Sequence, residues 1–303
     1  MKKHRSSILL IFIFFIGLSL LLYPSFSDWW NSLRQTEIID SYASQVANMN
    51  DDRYAEIWDS AYQYNASLLK RSNSYILSES KRADYEKLLD VSGLGVMGYI
   101  EIPSIDVTLP VYHGTGENVL QVGIGHLEWT SLPVGGESSH CVLSGHRGLP
   151  SAKLFTDLDK MVVGDTFSLR ILDEVLTYEV DRILVVEPEN TEALMIAEGK
   201  DLCTLVTCTP YGINTHRLLI RGHRVETEQE HAIRITADAT QIEPIVVAPL
   251  VACPLLMLLL LILMIPKRNH HGGVENEETD LFDIADVDLD AFFHDDYFGT
   301  GST

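Results

Sequence analysis

Hydrophobic and polar positions divide the 303-residue chain into regions with different periodicities. Two stretches carry no charged residue: residues 6–27, with the core ILLIFIFFIGLSLLLY, and residues 245–265, IVVAPLVACPLLMLLLLILMI. At about 1.5 Å of rise per residue, each is long enough to cross the ~30 Å hydrocarbon core of a bilayer as a helix. The pattern therefore predicts two transmembrane helices, one within residues 1–27 and one at residues 244–266.

The charges beside these segments predict their orientation. Basic residues favour the cytoplasmic side of a membrane, so both termini are predicted to be cytoplasmic and residues 28–243 to lie outside the cell. A cleaved signal peptide is the alternative for the first segment, but its apolar core is longer than an ordinary signal core and no clear A-x-A cleavage site follows it. The sequence thus predicts a plasma-membrane protein with two spans. The flanking basic residues are Lys2, Lys3 and Arg5 before the first segment and Lys267 and Arg268 after the second.

The region from residue 28 to residue 93 has helical periodicity. Apolar residues recur at helical spacing through residues 39–49 and again through residues 54–69, and the segment NMNDD between them supplies a break and a cap. We therefore predict a helical hairpin here. Residues 71–82, RSNSYILSESKR, are polar and have no such period, which predicts a loop.

From residue 94 the pattern changes to short β-branched runs separated by Gly, Pro, Asn and Asp. Runs such as TFSLRI, VLTYEVDRILVVEP and LCTLVTCTP are typical of strands, and their density predicts an all-β sandwich or barrel over residues 94–226. Two segments inside this region, GLPSAKLFTDLDKM and NTEALMIAEG, are predicted to be short helical elements, with Ser151 and Thr191 as their N-caps. The predicted fold class is mainly β, with short helices and the N-terminal hairpin.

The net charge of −21 is unevenly distributed and disfavours nucleic acid as a partner, because no basic stripe exists. Residues 267–303 contain ten acidic and two basic residues, interleaved with apolar ones. Such a composition is typical of a solvated cytoplasmic tail, and less often of a docking segment that folds on a partner. Residues 227–243 are predicted to be a linker between the β domain and the second span.

The chain has four cysteines, at positions 141, 203, 208 and 253. Cys253 lies within the second apolar segment, where it is expected to act as a small apolar residue. Cys203 and Cys208 are an odd number of positions apart on one predicted strand, so they point to opposite faces and cannot be bridged. A bridge from Cys141 to either Cys203 or Cys208 remains open at this point. The sequence contains no pair of C-x-x-C motifs, so it predicts no zinc site of that kind.

Cys208 is the candidate nucleophile. It ends an apolar run and precedes TPYG, so its side chain is expected at a strand end beside a turn, where scaffolds present reactive groups. A thiol attacks as a thiolate, and thiolate formation needs nearby positive charge. The run THRLLIRG is predicted to return antiparallel and to bring Arg217 near the level of Cys208. The arginine fork also suits the oxyanion of a tetrahedral intermediate.

A general acid is also required, because a leaving amine must be protonated. His146 in VLSGHRG is the leading candidate among several histidines, since it follows another apolar strand and has glycines nearby. On the residues alone, plainer interpretations remain open. A loop histidine is more often a solvated residue, and a free cysteine is more often a buried core residue.

The motifs LSGHRG, TLVTCTP and NTHRLLIRGHR together resemble the sortase family, whose members are Cys-His-Arg transpeptidases on an eight-stranded β-barrel. The stretches GVMGYIEIPSI, LPVYHGTGENVLQVGIGHLEWTSLPVGG and SGHRGLPSAKLFTDLDKM are similar to class C, the pilin-polymerising sortases. The resemblance covers about residues 94–226 and implies that Cys208 is the nucleophile, His146 the general acid and base, and Arg217 the oxyanion-stabilising residue.

The resemblance implies a reaction and partners. An LPxTG-like sorting signal would be cleaved between Thr and Gly through a thioacyl-enzyme, and the acyl group joined to an amine of a pilin lysine or of a cell-wall precursor. The implied partners are pilin subunits or other LPxTG-bearing surface proteins, and no metal or organic cofactor is expected. The alternatives are a membrane-bound cysteine peptidase and a non-catalytic pilin-binding scaffold.

The chain departs from class C at the lid. That class usually carries an Asp-Pro-aromatic tripeptide between the N-terminal helices and the barrel, and no such tripeptide occurs here. The corresponding stretch is about Arg71 to Arg82, where Tyr75 or Ile76 is the candidate to occupy the cleft. Autoinhibition by a lid is therefore an open prediction.

Overall fold

The computed structural model of the chain describes residues 2–69 and 77–227, with side chains described from residue 11 onward. The predicted second span at residues 244–266, the acidic tail at residues 267–303 and all but the first residue of the predicted linker lie outside the described residues. The first half of the predicted lid loop, residues 71–76 with Tyr75 and Ile76, also lies outside them.

A long N-terminal helix, α1, combines two elements that the sequence predicts separately. It runs from Lys2 to Ala47 and continues through Pro24, so the first apolar segment and the first half of the predicted hairpin are one helix. Pro24 is a signal for a helix end or a kink, yet the helix continues through it, so the predicted boundary near residue 27 is wrong. Within the described residues, α1 is the one helix long and apolar enough to cross a membrane. Its large apolar side chains, among them Phe12 and Phe26, are exposed.

The remainder of the helical region is partly as predicted. Helix α2 spans Asp51–Leu68, and the Asn50 side chain caps it by accepting a hydrogen bond from the Arg53 backbone N–H at 3.1 Å, as the NMNDD segment predicts. The loop prediction for residues 71–82 is wrong in its last part, because helix α3 spans Glu79–Tyr85. Burial of Tyr85 at the end of α3 stabilises a helix that the local pattern does not indicate.

The predicted eight-stranded barrel is confirmed. Its strands close in the order β1-β2-β3-β4-β7-β8-β6-β5, and neighbours are antiparallel except for the pairs β2·β3 and β4·β7, which are parallel. Closure leaves no exposed sheet edge and places alternate side chains of each strand in one interior core. The strands are β1 Val96–Ile102, β2 Val107–His113, β3 Ile124–His126, β4 Ser139–Ser144, β5 Thr166–Ile171, β6 Glu174–Val186, β7 Asp201–Thr209 and β8 His216–Arg224, and a short helix α4 at Glu117–Leu120 precedes β3.

The two helical segments predicted inside the barrel are reduced to single 3-10 turns, at Leu158–Lys160 and Glu192–Leu194. In the first segment Leu154 has a left-handed backbone, with φ of 39°, which interrupts a helix. In the second the chain becomes extended after the turn, and Thr191 makes no side-chain capping bond.

Tyr42 connects α1 to the barrel. Its side chain is 1% exposed; the hydroxyl donates to the Met97 carbonyl at 2.9 Å and accepts from the Leu172 backbone N–H at 2.8 Å. Met97 belongs to β1 and Leu172 to the turn between β5 and β6, so one hydroxyl satisfies buried backbone groups of two barrel segments. Burial raises the pKa of Tyr42, which keeps the hydroxyl protonated and able to donate.

We predict that Tyr42→Phe lowers the free energy of unfolding by about 1–3 kcal/mol, because it leaves a buried N–H and a buried carbonyl without their partner. Urea unfolding of the full chain in detergent measures the difference. Tyr62→Phe is the matched control, since Tyr62 is 45% exposed, and it should change the free energy by less than about 0.5 kcal/mol. Equal effects of the two substitutions would contradict the connection.

Candidate active site

Two neighbouring strands and the segment that follows a third carry the predicted chemical residues. Strand β7 lies between β4, which is parallel to it, and β8, which is antiparallel. Cys208 on β7 is the direct register partner of Arg217 on β8. The predicted return of the chain after the 210–214 loop is therefore as observed, and the two side chains lie on the same face of the sheet.

His146 reaches the same level from the other side. The β4–β7 register pairs Ser144 with Val206, and the Gly145 backbone N–H donates to the Val206 carbonyl at 3.0 Å. The paired register ends there, and its continuation by two residues would set His146 opposite Cys208, at the ~4.8 Å spacing of adjacent strands. The Thr207 hydroxyl also donates to the Gly145 carbonyl at 2.8 Å, which holds the two chain segments together where β4 ends. The fold thus brings the three predicted residues to three adjacent chain segments.

The shared face is the outer face of the barrel. On β8, Leu218 and Ile220 belong to the interior core, whereas Leu219 belongs to a second apolar cluster outside it. Val206, two residues before Cys208 on β7, belongs to the same second cluster. We call this cluster the outer groove. It consists of Val142, Leu194, Val206 and Leu219, with Leu127, Trp129, Leu184, Val186 and Ala193 packed against it.

His146 has few restraints on its ring. Its side chain is 28% exposed, and the Nε2 atom is buried and has no hydrogen-bond partner among the described residues. The Glu117 carboxylate of α4 lies close to it, with its Oε2 3.8 Å from Nε2. The His146 backbone carbonyl accepts from the Phe155 N–H at 3.1 Å. An imidazole with an unpaired nitrogen can take up or release a proton at a bound ligand.

Arg217 keeps its charge available. The guanidinium donates to the backbone carbonyls of Asn214 and His216, at 3.3 and 3.2 Å, and forms no ion pair with a carboxylate in the part of the chain that the structure describes. A cation held by neutral carbonyls beside the Cys208 thiol can stabilise a thiolate or an oxyanion.

The other described cysteines lie on the opposite face. Cys141 and Cys203 are register partners on β4 and β7 and are buried in the interior core, whereas Cys208 is half-buried on the outside. Cys141, Cys203 and Cys208 are all free thiols, so neither of the two possible bridges is formed. Burial raises the pKa of Cys203 well above its usual value, so this thiol stays neutral and is a poor nucleophile.

His140 links β4 to the segment that covers the outer groove. Its Nδ1 donates to the Met195 carbonyl at 2.9 Å, just after the 3-10 turn that contains Leu194, and its Nε2 accepts from the Thr204 hydroxyl at 2.7 Å. Both bonds are satisfied by the neutral imidazole. Burial lowers the pKa of His140, and the nearby Arg221 acts in the same direction.

Sequence reasoning did not find Glu117, the outer groove or the role of His140. Glu117 lies 29 positions before His146, so only the packing of α4 brings them together. The groove had a weak signal in the run LCTLVTC, which is apolar at nearly every position, as expected of a strand with both faces covered. Among the described residues no group of three or more His, Cys, Asp or Glu could hold a metal ion.

Known proteins were compared with this fold. A family model described as "Sortase domain" matches residues 100–225. Among solved structures, sortase C1 of Streptococcus agalactiae is 50% identical, and the superposition, with a TM-score of 0.62, covers 63% of this chain and 100% of that one. Sortase C of Streptococcus pneumoniae, whose structure was described as informative on catalysis and pilin substrate specificity, is 45% identical with a TM-score of 0.58, covering 63% of this chain and 97% of that one.

A curated relative, sortase A of Streptococcus agalactiae, is 33% identical over 165 residues, which are 52% of this chain. The match spans 66% of the relative's own length, just under two thirds. Together these similarities confirm the resemblance that the motifs indicated.

We predict that stability falls as the pH drops below about 6.5, the pKa of an unfolded-chain histidine. Since burial lowers the pKa of His140 in the folded protein, the unfolded chain binds this proton more readily, and the stability present above pH 6.5 is lost on acidification. Urea unfolding at several pH values measures the slope, which should be smaller in His140→Gln. Some slope should remain, because burial also lowers the pKa of His113. An identical slope in the variant would contradict the assignment.

Proposed function

The chain belongs to the sortase family, and from that premise we propose that it is a membrane-anchored cysteine transpeptidase acting on an LPxTG-like sorting signal. The observation that supports this proposal is the register of β7 and β8, which pairs Cys208 with Arg217 on the outer face of the barrel, together with the β4–β7 pairing, which ends two residues before His146 and Cys208. A nucleophile, a proton donor and a permanent cation around one position are the groups that acyl transfer from a peptide requires.

In the first half-reaction the Cys208 thiolate attacks the carbonyl carbon of the signal's Thr. The carbonyl oxygen becomes an oxyanion, and the Arg217 guanidinium donates hydrogen bonds to it. Protonated His146 then gives its proton to the amine of the departing Gly, the Thr–Gly bond breaks, and a thioester to Cys208 remains. Arg217 suits this role because no described carboxylate neutralises it.

The outer groove is the proposed binding site for the preceding Leu and Pro of the signal. It lies on the same face as Cys208, directly beside it along β7. The side chains that a peptide would contact are the half-buried ones packed against the buried centre of the cluster: Leu127, Trp129, Leu184 and Val186. An extended peptide that buries apolar side chains there would present its Thr carbonyl to the thiol. The His140 bonds support this groove, since they hold the Met195 segment against β4 and β7.

In the second half-reaction a primary amine attacks the thioester, neutral His146 accepts its proton, and an amide bond forms while Cys208 is released. The proposed acceptor is a lysine of a pilin subunit, which would polymerise pilins, with an amine of a cell-wall precursor as the other acceptor. The class C resemblance of the barrel, shared with the sortase C structures above, supports the pilin lysine.

The membrane location follows from α1. The apolar N-terminal part of α1 is consistent with a membrane anchor. The part of α1 after residue 28 packs against the barrel. We extend the proposal to a second span at residues 244–266, to an extracellular barrel and to two cytoplasmic termini. Substrates that are tethered to the same membrane would then meet the enzyme at a raised effective concentration.

Cys208→Ala is predicted to reduce cleavage of a sorting-signal peptide by about 10³-fold or more, because no other described cysteine reaches the outer face. Cleavage is followed by liquid chromatography of the peptide products. Cys203→Ala is the control, because Cys203 lies on the interior face of the same strand. This variant should retain activity if it folds. Turnover that survives in Cys208→Ala would remove the nucleophile assignment.

For Arg217→Lys we expect kcat to fall by about 10²–10³-fold, since an ammonium cannot reproduce the planar fork at the oxyanion. Arg221→Lys is the matched control: Arg221 lies on the same face of β8 and pairs with Asp181 at 2.8 Å. Steady-state kinetics of both variants decide the point. Equal kcat values in the two variants would contradict the role of Arg217.

Adding an excess of a primary amine separates the proposal from its alternatives. A transpeptidase gives an amide product of the signal's acyl part with the amine, identified by mass spectrometry. Hydrolysis products alone, at every amine concentration, would indicate a cysteine peptidase. Failure to cleave any sorting peptide, together with retained peptide binding, would indicate a binding scaffold.

A further inference from the structure

Arg147, the residue after His146, has no part in the proposed reaction. Its largely buried side chain nevertheless makes several contacts with neighbouring chain segments. Its side chain is 10% exposed; its guanidinium contacts three groups, while its buried Nε has no hydrogen-bond partner among the described residues. Nη2 donates to the Asp159 carboxylate at 2.5 Å, Nη1 donates to the Thr209 hydroxyl at 3.5 Å, and the guanidinium carbon lies 5.8 Å from the centre of the Tyr211 ring. Thr209 is the residue after Cys208, and Tyr211 lies three positions after Cys208.

Besides the bonds of Gly145 to β7, the segment after β4 therefore has a second contact, with the end of β7 and the turn that follows it. The Tyr211 ring lies against Gly148, where an added Cβ would come within 2.8 Å of a ring carbon. Gly148 has φ of 76°, a conformation that glycine adopts without strain. Its N–H donates to the Thr156 hydroxyl at 3.1 Å, so residues 147 and 148 are held from both sides.

His146 needs such support from its neighbours. Its Nε2 has no hydrogen-bond partner among the described residues, and the Glu117 carboxylate at 3.8 Å is 73% exposed on the surface. The position of the imidazole must then come from the backbone on both sides of it. Gly145 is fixed by its bonds to β7 on one side, and Arg147 is the adjacent residue on the other.

We infer that Arg147 is a positioning residue, which fixes His146 relative to Cys208 by holding the segment after β4 to the turn after β7. The inference rests on the proposed function, because the alignment of imidazole and sulfur is what the reaction requires. A planar guanidinium can bind a carboxylate at one edge, a hydroxyl at the other and a ring against its face, whereas a lysine ammonium cannot do all three.

The ion pair with Asp159 is not the main contribution. The Asp159 side chain is 46% exposed, so water can solvate it when Arg147 is replaced, and no buried charge is left unpaired. A substitution of Arg147 instead removes the contacts that align the segment after β4 with the turn after β7. Displacement of a reacting group by about 1 Å can reduce a rate about 10²-fold.

The kinetic test compares Arg147→Gln and Arg147→Lys in the full chain in detergent. Both are expected to lower kcat for a sorting-signal peptide by about 10- to 100-fold while KM changes less than about 2-fold, because binding in the outer groove is not affected. The matched control is Arg170→Lys, which loses a comparable pair with Glu101 on β1, away from β4 and β7 in the barrel. Assays are run well below the unfolding midpoint of each variant. An unchanged kcat in Arg147→Gln would overturn the inference.

The second test does not require the transpeptidase reaction. The rate of Cys208 alkylation by iodoacetamide, followed by mass spectrometry of the Cys208 peptide, is measured for Arg147→Gln with His146 present and with His146→Ala. The inference predicts that Arg147→Gln changes the rate at neutral pH when His146 is present and changes it less than about 2-fold when His146 is absent.

An equal change in both backgrounds would mean that Arg147 acts on the thiol or the fold without His146, and no change in either would mean that it positions nothing. Either result overturns the inference. If no peptide is cleaved by the wild type but the alkylation result is as predicted, the proposed function fails and the positioning role of Arg147 stands.

Discussion

The parallel pairing of β4 with β7 is the constraint on which the site depends. A hairpin alone would bring Arg217 to Cys208, because β7 and β8 are joined by a short turn and their antiparallel register pairs the two residues. His146 lies 62 positions before Cys208, and the β4–β7 pairing, which ends at Ser144 and Val206, brings its chain segment next to that of Cys208. A shift of the β4–β7 register by one residue would move the side chain of His146 to the other face of the sheet.

Strands β4, β7 and β8 contribute side chains to two hydrophobic clusters. Their inward residues, Cys203, Leu205 and Ile220 among them, complete the barrel core, and their outward residues form the outer groove. A site on such a sheet is rigid on one side and open to a ligand on the other. The separation also distinguishes the cysteines, since Cys141 and Cys203 are enclosed in the barrel interior while Cys208 is half-buried on the outer face opposite Arg217.

Much of this arrangement could be predicted from local sequence, and the rest depends on packing between distant segments. The strand runs, the Asn50 cap and the β7–β8 hairpin have local causes and were predicted correctly. Strand β3 has three residues and no period to detect, and α3 is helical because Tyr85 is buried against His126 and the end of β2, which the segment around it does not indicate. The left-handed backbone at the buried Leu154 likewise has no turn residue to signal it in the sequence. For the site, Cys208 and Arg217 could be placed together in advance, whereas His146 could be placed only at a strand end.

The central claim is that His146 and Arg217 converge on the sulfur of Cys208. A crystal structure of the protein trapped as a thioester with a sorting-signal peptide tests it most directly. The account predicts the peptide in the outer groove, the Arg217 guanidinium within hydrogen-bond reach of the thioester oxygen, at about 2.6–3.2 Å, and the His146 imidazole on the opposite side of the sulfur. A thioester on Cys208 with both side chains turned away from it, or a peptide bound to another face of the barrel, would contradict the account.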